Sequence, residues 1–150
     1  MIAYDLSKIR AMAFDVDGVL SSPLVMLISG QPTRTANIKD GYALQLAVKR
    51  GFDIAIVTGG SCEKVRERYR GLGIKDIFMG LSVKINVMKE WMKEKNLSPE
   101  EVLYMGDDIP DYQTMRCVGC SCCPHDAAEE IKEIATYVSP YAGGQGCVRD

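Results

Sequence analysis

Asp15 and Asp17 stand two residues apart at the end of one apolar run, and Asp107 and Asp108 stand together at the end of another. Thr58 closes a third run, directly before Gly59 and Gly60, and Lys84 opens a periodic stretch after a fourth. Clustered carboxylates need a compensating cation, and hard oxygen ligands suit Mg²⁺. A metal screens a phosphate so that an anionic nucleophile approaches it, and a carboxylate then forms an aspartyl-phosphate. Thr58 and Lys84 offer a donor and a positive charge to the phosphoryl oxygens. Gly59 and Gly60 let backbone N–H groups come close to a phosphate at a helix N-terminus. Phosphoryl transfer is the chemistry that unites these residue types.

The elements that must position them follow from periodicity. Apolar runs of strand length lie at Ile9 to Val16, Phe52 to Val57, Asp76 to Met79, Val102 to Met105 and Val118 to Cys123, with Tyr137-Val138 a possible last strand. Helical stretches fall between them: Gly41 to Lys49, Ser61 to Leu72 with Ser61 as N-cap, Ser82 to Lys95, and Asp126 to Ala135. Ser98-Pro99-Glu100-Glu101 is a helix-start signal. Strands alternating with helices predict an α/β fold, a Rossmann-like doubly wound parallel sheet. In such a sheet ligands sit outside the carboxyl ends of the strands, where the polar residues fall. One segment breaks the alternation. Residues 22–38 predict an inserted β-hairpin with its turn at Ser29-Gly30. Its apolar residues Val25, Met26, Leu27 and Ile28 need a partner, and another subunit is a good candidate.

The remaining composition bounds the molecule. A chain of 150 residues with 47% apolar and 25% charged residues predicts one globular domain spanning 1–150. The formal net charge of −2 gives no field that would gather nucleic acid. No run of about eighteen apolar residues predicts a membrane span. Met1 to Arg10 lacks a signal-peptide core, so a cytoplasmic location is expected. Six cysteines without a secretory signal do not predict a disulfide framework. Cys117, Cys120, Cys122, Cys123 and His125 invite a zinc reading, but alternate residues of a strand face opposite sides, so buried core thiols are expected instead. The basic run Lys64, Arg66, Arg68 and Arg70 reads first as a solvated helix face, with attraction of an anionic sugar phosphate as its functional alternative.

Phe14-Asp15-Val16-Asp17-Gly18-Val19 resembles the first motif of the haloacid dehalogenase superfamily. Thr58, Lys84 and Gly106-Asp107-Asp108-Ile109-Pro110-Asp111 resemble its second, third and fourth, in the right order. Asn37-Ile38-Lys39-Asp40-Gly41-Tyr42 and the ending Gly143-Gly144-Gln145-Gly146-Cys147-Val148-Arg149 narrow the likeness to the family of 3-deoxy-D-manno-octulosonate 8-phosphate phosphatases. That resemblance implies no cap domain and a homotetramer assembled through the hairpins, with a neighbouring subunit closing each site. It implies Asp15 as nucleophile and Mg²⁺ ligand. Asp17 becomes the acid/base, reaching the metal through its backbone carbonyl. Asp107 is the further metal ligand, with Asp108 and Asp111 in support. Thr58 and Lys84 hold the phosphoryl group.

Two departures from the family pattern stand out. Gly60 occupies a position where an arginine is frequent, and Arg66, Arg68, Arg34 and Lys39 are the possible compensators, with Gly59, Gly60, Lys39 and Arg68 as expected substrate-binding positions. Val83 replaces the usual aspartate before the motif lysine. The motifs read phosphate rather than sugar length, so a nine-carbon keto-deoxy sugar acid 9-phosphate is the alternative substrate. A phospho-receiver or a non-catalytic scaffold are the alternatives of a different class.

Overall fold

Residues Ala11–Phe14 form the first strand, β1, with Ala11 and Ala13 facing one layer of the core and Met12 and Phe14 the other. The same alternation recurs along β4 (Asp53–Val57), β6 (Val102–Met105) and β7 (Cys120–Cys123), so both faces of the sheet are covered. The structure is a computed structural model describing all residues 1–150. With β5 (Asp76–Phe78) and β8 (Tyr137–Val138) the sheet has six parallel strands in the order β5-β4-β1-β6-β7-β8. Counted along the chain without the hairpin, this is the order 3-2-1-4-5-6 of a doubly wound sheet.

Helix α1 (Ile38–Lys49) and α2 (Glu63–Arg70) pack Leu44, Val65 and Tyr69 against one face. Helices α3 (Lys84–Glu94), α4 (Tyr112–Met115) and α5 (Glu129–Ile134) pack Met88, Trp91, Met92, Met115 and Ile131 against the other. The chain reverses its direction of winding between β1 and β6, and a crevice opens there. Asp15 follows directly on β1, and Asp107 comes two residues after the end of β6.

Element boundaries shift where side chains take up backbone groups. Helix α1 begins three residues before Gly41, because the Asn37 side-chain Oδ1 accepts from the N–H groups of Lys39 and Asp40 at 2.9 and 3.3 Å. Ser61 is not the N-cap of α2. Cys62 stands there without a side-chain cap bond, and Thr58 to Gly60 form a loop whose backbone groups bond to Phe78, Gly80 and Leu81. The α4 turn was not legible in the periodicity; it follows a capping box between Asp108 and Asp111.

The hairpin forms as expected, with β2 (Met26–Ile28) pairing β3 (Gln31–Thr33) antiparallel. Ser29 and Gly30 both have positive φ, 51° and 75°, the geometry that matches strand twist in a two-residue turn. It stands apart from the main sheet, and Leu24 to Ile28 are exposed. All six cysteines are free thiols. Cys120 and Cys122 lie in one core layer and Cys123 in the other, and His125 is exposed.

Candidate active site

At the end of β1 the Asp15 side chain is buried, and its Oδ1 accepts from the Val16 N–H at 2.6 Å. The ammonium of Lys84, the first residue of α3, lies 2.8 Å from Asp15 Oδ2 and 2.8 Å from Asp111 Oδ1. Asp111 is enclosed completely and every direction around it is used. Its Oδ1 also accepts from the Tyr104 hydroxyl at 2.6 Å, and its Oδ2 from the Asp107 and Asp108 N–H groups at 3.0 and 3.4 Å. The loop after β6 is thereby folded around one carboxylate, which fixes the direction of Asp107.

Asp15, Asp107 and Asp111 offer carboxylate oxygens that all lie within 4.8 Å of one another. Three carboxylates against one buried ammonium leave an excess of negative charge. Burial, Asp111 and Asp108 together push the Asp107 carboxyl up to about 7. Burial and Asp111 raise Asp15 well above the carboxylate range against the pull of Lys84. Burial alone would lower Lys84, yet Asp15 and Asp111 outweigh it and hold the ammonium above its ordinary value. A set of hard oxygen donors with surplus charge in a crevice fits a dication such as Mg²⁺.

Two glycines admit this arrangement. Gly18 has φ +84°, and a Cβ there would overlap the Asp107 carboxylate. Gly143 packs so tightly on the Gly18 backbone that a Cβ would collide with the Gly18 carbonyl. The Gly-rich ending is tied down by Asn37 Nδ2, which donates to the Gly144 carbonyl at 3.0 Å. The Arg149 N–H donates to Asp40 Oδ1 at 2.9 Å. The segments 37–42 and 143–149, far apart in sequence, brace each other and the loop after β1.

Thr58 lies buried at the end of β4, and its Oγ1 accepts from the Gly60 N–H at 3.1 Å. Gly59 and Gly60 lead to the N-terminus of α2, which is the expected phosphate cradle. A cleft of about 790 Å³ runs from this cradle to the hairpin, lined among others by Arg34, Gly59, Gly60, Lys64 and Arg68.

Of the site residues expected from sequence, Asp15, Lys84, Asp107 and Asp111 converge at the crevice. Asp111 joins the carboxylate group directly rather than standing behind it. The Asp17 side chain turns away from that group. Arg34 Nε and Nη2 donate to its two oxygens at 2.5 and 2.9 Å. Asp17 holds the guanidinium above its ordinary value. Asp108 is exposed and caps the turn after it, its Oδ1 accepting from the Ile109 N–H at 2.8 Å. Arg68 lines the cleft, while Lys39 is exposed on the first turn of α1 and outside the cleft lining. Lys64 and Arg66 form surface ion pairs with Glu67 and Glu63. Tyr104 was missed by sequence reasoning. The available signal was a tyrosine inside an otherwise apolar strand, because a buried phenol needs an acceptor.

The strand-end charges and the crevice at the sheet's switch point are those of a phosphoryl-transfer hydrolase. Residues 80–148, which carry Lys84, the acidic loop and the Gly-rich ending, match the family model described as haloacid dehalogenase-like hydrolase. The 3-deoxy-D-manno-octulosonate 8-phosphate phosphatase of Escherichia coli (strain K12) is 36% identical over 144 residues, covering 95% of this chain and 77% of that protein. The crystal structure of the Yersinia pestis 3-deoxy-D-manno-octulosonate 8-phosphate phosphatase superposes with a TM-score of 0.93 at 34% identity, covering 96% of this chain and 78% of that one. The Moraxella catarrhalis phosphatase, solved in complex with magnesium ion, phosphate ion and a KDO molecule, gives 0.92 at 31% identity, covering 96% and 83%. The chain belongs to the 3-deoxy-D-manno-octulosonate 8-phosphate phosphatase family of haloacid dehalogenase-like hydrolases. Receiver and scaffold readings are thereby set aside.

Proposed function

We propose that this chain is a Mg²⁺-dependent phosphatase that hydrolyses 3-deoxy-D-manno-octulosonate 8-phosphate to the free sugar acid and phosphate, in lipopolysaccharide sugar biosynthesis. The observation that carries the reading is the placement of Asp15. It is buried at the end of β1, steadied at one oxygen by Lys84 and at the other by a backbone N–H. This is a fixed carboxylate nucleophile. Asp15 attacks phosphorus, the bond to the sugar oxygen breaks, and Asp17 gives that oxygen its proton. Water then attacks the aspartyl-phosphate, and Asp17 takes the water's proton as Asp15 is regenerated. Thr58, whose hydroxyl oxygen is oriented by the Gly60 N–H, the Gly59 N–H and Lys84 receive the charge of the phosphoryl oxygens.

Asp15, Asp107 and the Asp17 backbone carbonyl would hold the Mg²⁺, with Asp111 keeping Asp107 and Lys84 in position and Asp108 in support. The bound ion supplies neutralisation of phosphate charge. The exposed hairpin supports assembly into a homotetramer in which a neighbouring subunit completes the site, and the assembled enzyme would work in the cytoplasm.

The test is phosphate release from the eight-carbon substrate with Mg²⁺, beside the nine-carbon 9-phosphate. Release that is lost in Asp15→Asn supports the reading, and a preference for the nine-carbon ester shifts the substrate. Undiminished turnover by Asp15→Asn overturns the mechanism.

A further inference from the structure

Arg34 is the first residue after β3, and it reaches from the base of the hairpin to the loop that follows β1. Its Nε donates to Asp17 Oδ1 at 2.5 Å and its Nη2 to Asp17 Oδ2 at 2.9 Å. Two parallel bonds from a planar fork fix a carboxylate in direction as well as in place, which the point charge of an ammonium does not. The fork is itself held. The Arg34 side chain is only 12% exposed, and a Cβ on Gly60 would stand 2.9 Å from its Nη2. The guanidinium thus fills space that the bare backbone at position 60 leaves open.

The hold leaves Asp17 able to work. An ionised carboxylate offers about four lone-pair sites. The fork takes one on each oxygen, and Ser21 Oγ stands 3.4 Å from Oδ1. Oδ2 keeps an open site, and the Asp17 side chain is 38% exposed. Asp15 and Asp111 differ in both respects: they are enclosed, and the Lys84 ammonium binds them both.

We infer that Arg34 is a positioning residue for proton transfer, which by fixing the Asp17 carboxyl sets where the sugar oxygen receives its proton. The inference rests on the phosphatase reading of the Asp15 edge. In that step an Asp15 oxygen bonds to phosphorus and the bond from phosphorus to the sugar oxygen breaks. The electron pair stays on the sugar oxygen, and Asp17 supplies the proton. A group misplaced by about 1 Å loses on the order of 10²-fold in rate. Because Arg34 belongs to the base of the hairpin, the aim of the acid is set by an element outside the sheet.

The test compares three esters by kcat/KM in the full-length protein with Mg²⁺. The eight-carbon sugar acid 8-phosphate and a pentose 5-phosphate both release a primary alkoxide, which needs a proton, and only the first carries a carboxylate. The third, p-nitrophenyl phosphate, releases a phenolate that leaves without one. Arg34→Ala should lower both alkyl esters by about 30-fold and the aryl ester by no more than about 3-fold. Arg34→Lys should keep part of the alkyl rate. Millimolar guanidinium ion should rescue Arg34→Ala on the alkyl esters, by entering the seat over Gly60. In an Asp17→Asn background, Arg34→Ala should cost nothing further, since the two residues act as one unit.

An equal loss for all three esters overturns the inference, because Arg34 would then grip the phosphoryl group. So does a loss confined to the sugar acid, which would make it a contact to the substrate carboxylate. Unchanged rates, or a further loss in the Asp17→Asn background, overturn it as well. If Arg34→Ala fails to fold, Arg34→Lys and Arg34→Gln decide by the same criteria. Failure of the phosphatase reading shows separately, as absent phosphate release by the unmodified protein.

Discussion

The strand-end crevice and the hairpin are held in opposite ways. In the crevice each functional group has partners from several elements: Asp111 alone receives donors from α3, from β6 and from its own loop. In the hairpin the strands pair only with each other, and a Thr35–Ser22 hydrogen bond of 3.2 Å closes the base. Leu24, Leu27 and Met26 are 79%, 75% and 63% exposed. An isolated hairpin is marginal in water and an apolar one is costly. The chain's own core therefore decides where the chemistry stands, while the hairpin presents a surface that the chain itself does not cover. Arg34 is where the two regions meet.

The contrast is broken most severely at Lys84. Lys84→Met leaves Asp15 and Asp111 buried without their cation, and a loss of about 3–5 kcal/mol in urea unfolding is expected. A change under 1 kcal/mol would mean the crevice is less tightly determined than its contacts indicate.

Removing the metal should expose the next largest effect, as a pH dependence. The Asp107 carboxyl stands at about 7 in the fold, against 3.8 in the open chain. The folded state therefore holds a proton that the unfolded state releases, so stability falls as pH rises from about 4 to about 7 and is level above that. The metal-free protein should lose roughly 2–4 kcal/mol across that window, measured by thermal unfolding in chelator. Added Mg²⁺ should recover stability near neutral pH, because it binds the ionised folded form. A flat profile in chelator would remove the charge excess as the reason for a metal.

Tyr104→Phe takes one donor from Asp111 and leaves the packing, so about 1–2 kcal/mol is expected. Lys84 and the two backbone N–H groups remain, so the crevice should keep its shape and most of its turnover. The smallest folding effect belongs to the hairpin. Leu24→Asp with Leu27→Asp should change single-chain stability by no more than about 0.5 kcal/mol per site. The same variant should shift sedimentation toward a monomer and lower activity with it. Unfolding by several kcal/mol instead would show that the hairpin belongs to the chain's own core.

Much of this was legible before any coordinates. Five strands and a possible sixth were readable because buried parallel strands are largely apolar runs, and Asp15, Lys84, Asp107 and Asp111 marked the crevice. The hairpin was readable because Ser29-Gly30 supplies two positive φ angles between apolar segments. Local chemistry blurred the boundaries: the cap by Asn37 starts α1 early, and the hydrogen-bonded loop from Thr58 to Gly60 starts α2 late. The α4 turn was invisible because four residues carry no period. Tyr104 and the inward place of Asp111 were missed because hydrogen bonds inside one layer leave no pattern in apolar spacing.

What the sequence determined by itself is the order of elements and the kinds of groups that reach the sheet edge. Both depend on periodicity and on residue types over short stretches. Only the tertiary structure decided which of Arg34, Lys39, Arg66 and Arg68 stands over Gly60, and that Asp17 faces Arg34 while Asp111 faces Lys84. Those partnerships join residues 17 to 27 positions apart or more, and in the case of Gly144 with Asn37, 107 apart. They depend on how a hairpin and a helix pack on a shared sheet, a matter of volume and direction that linear spacing does not encode.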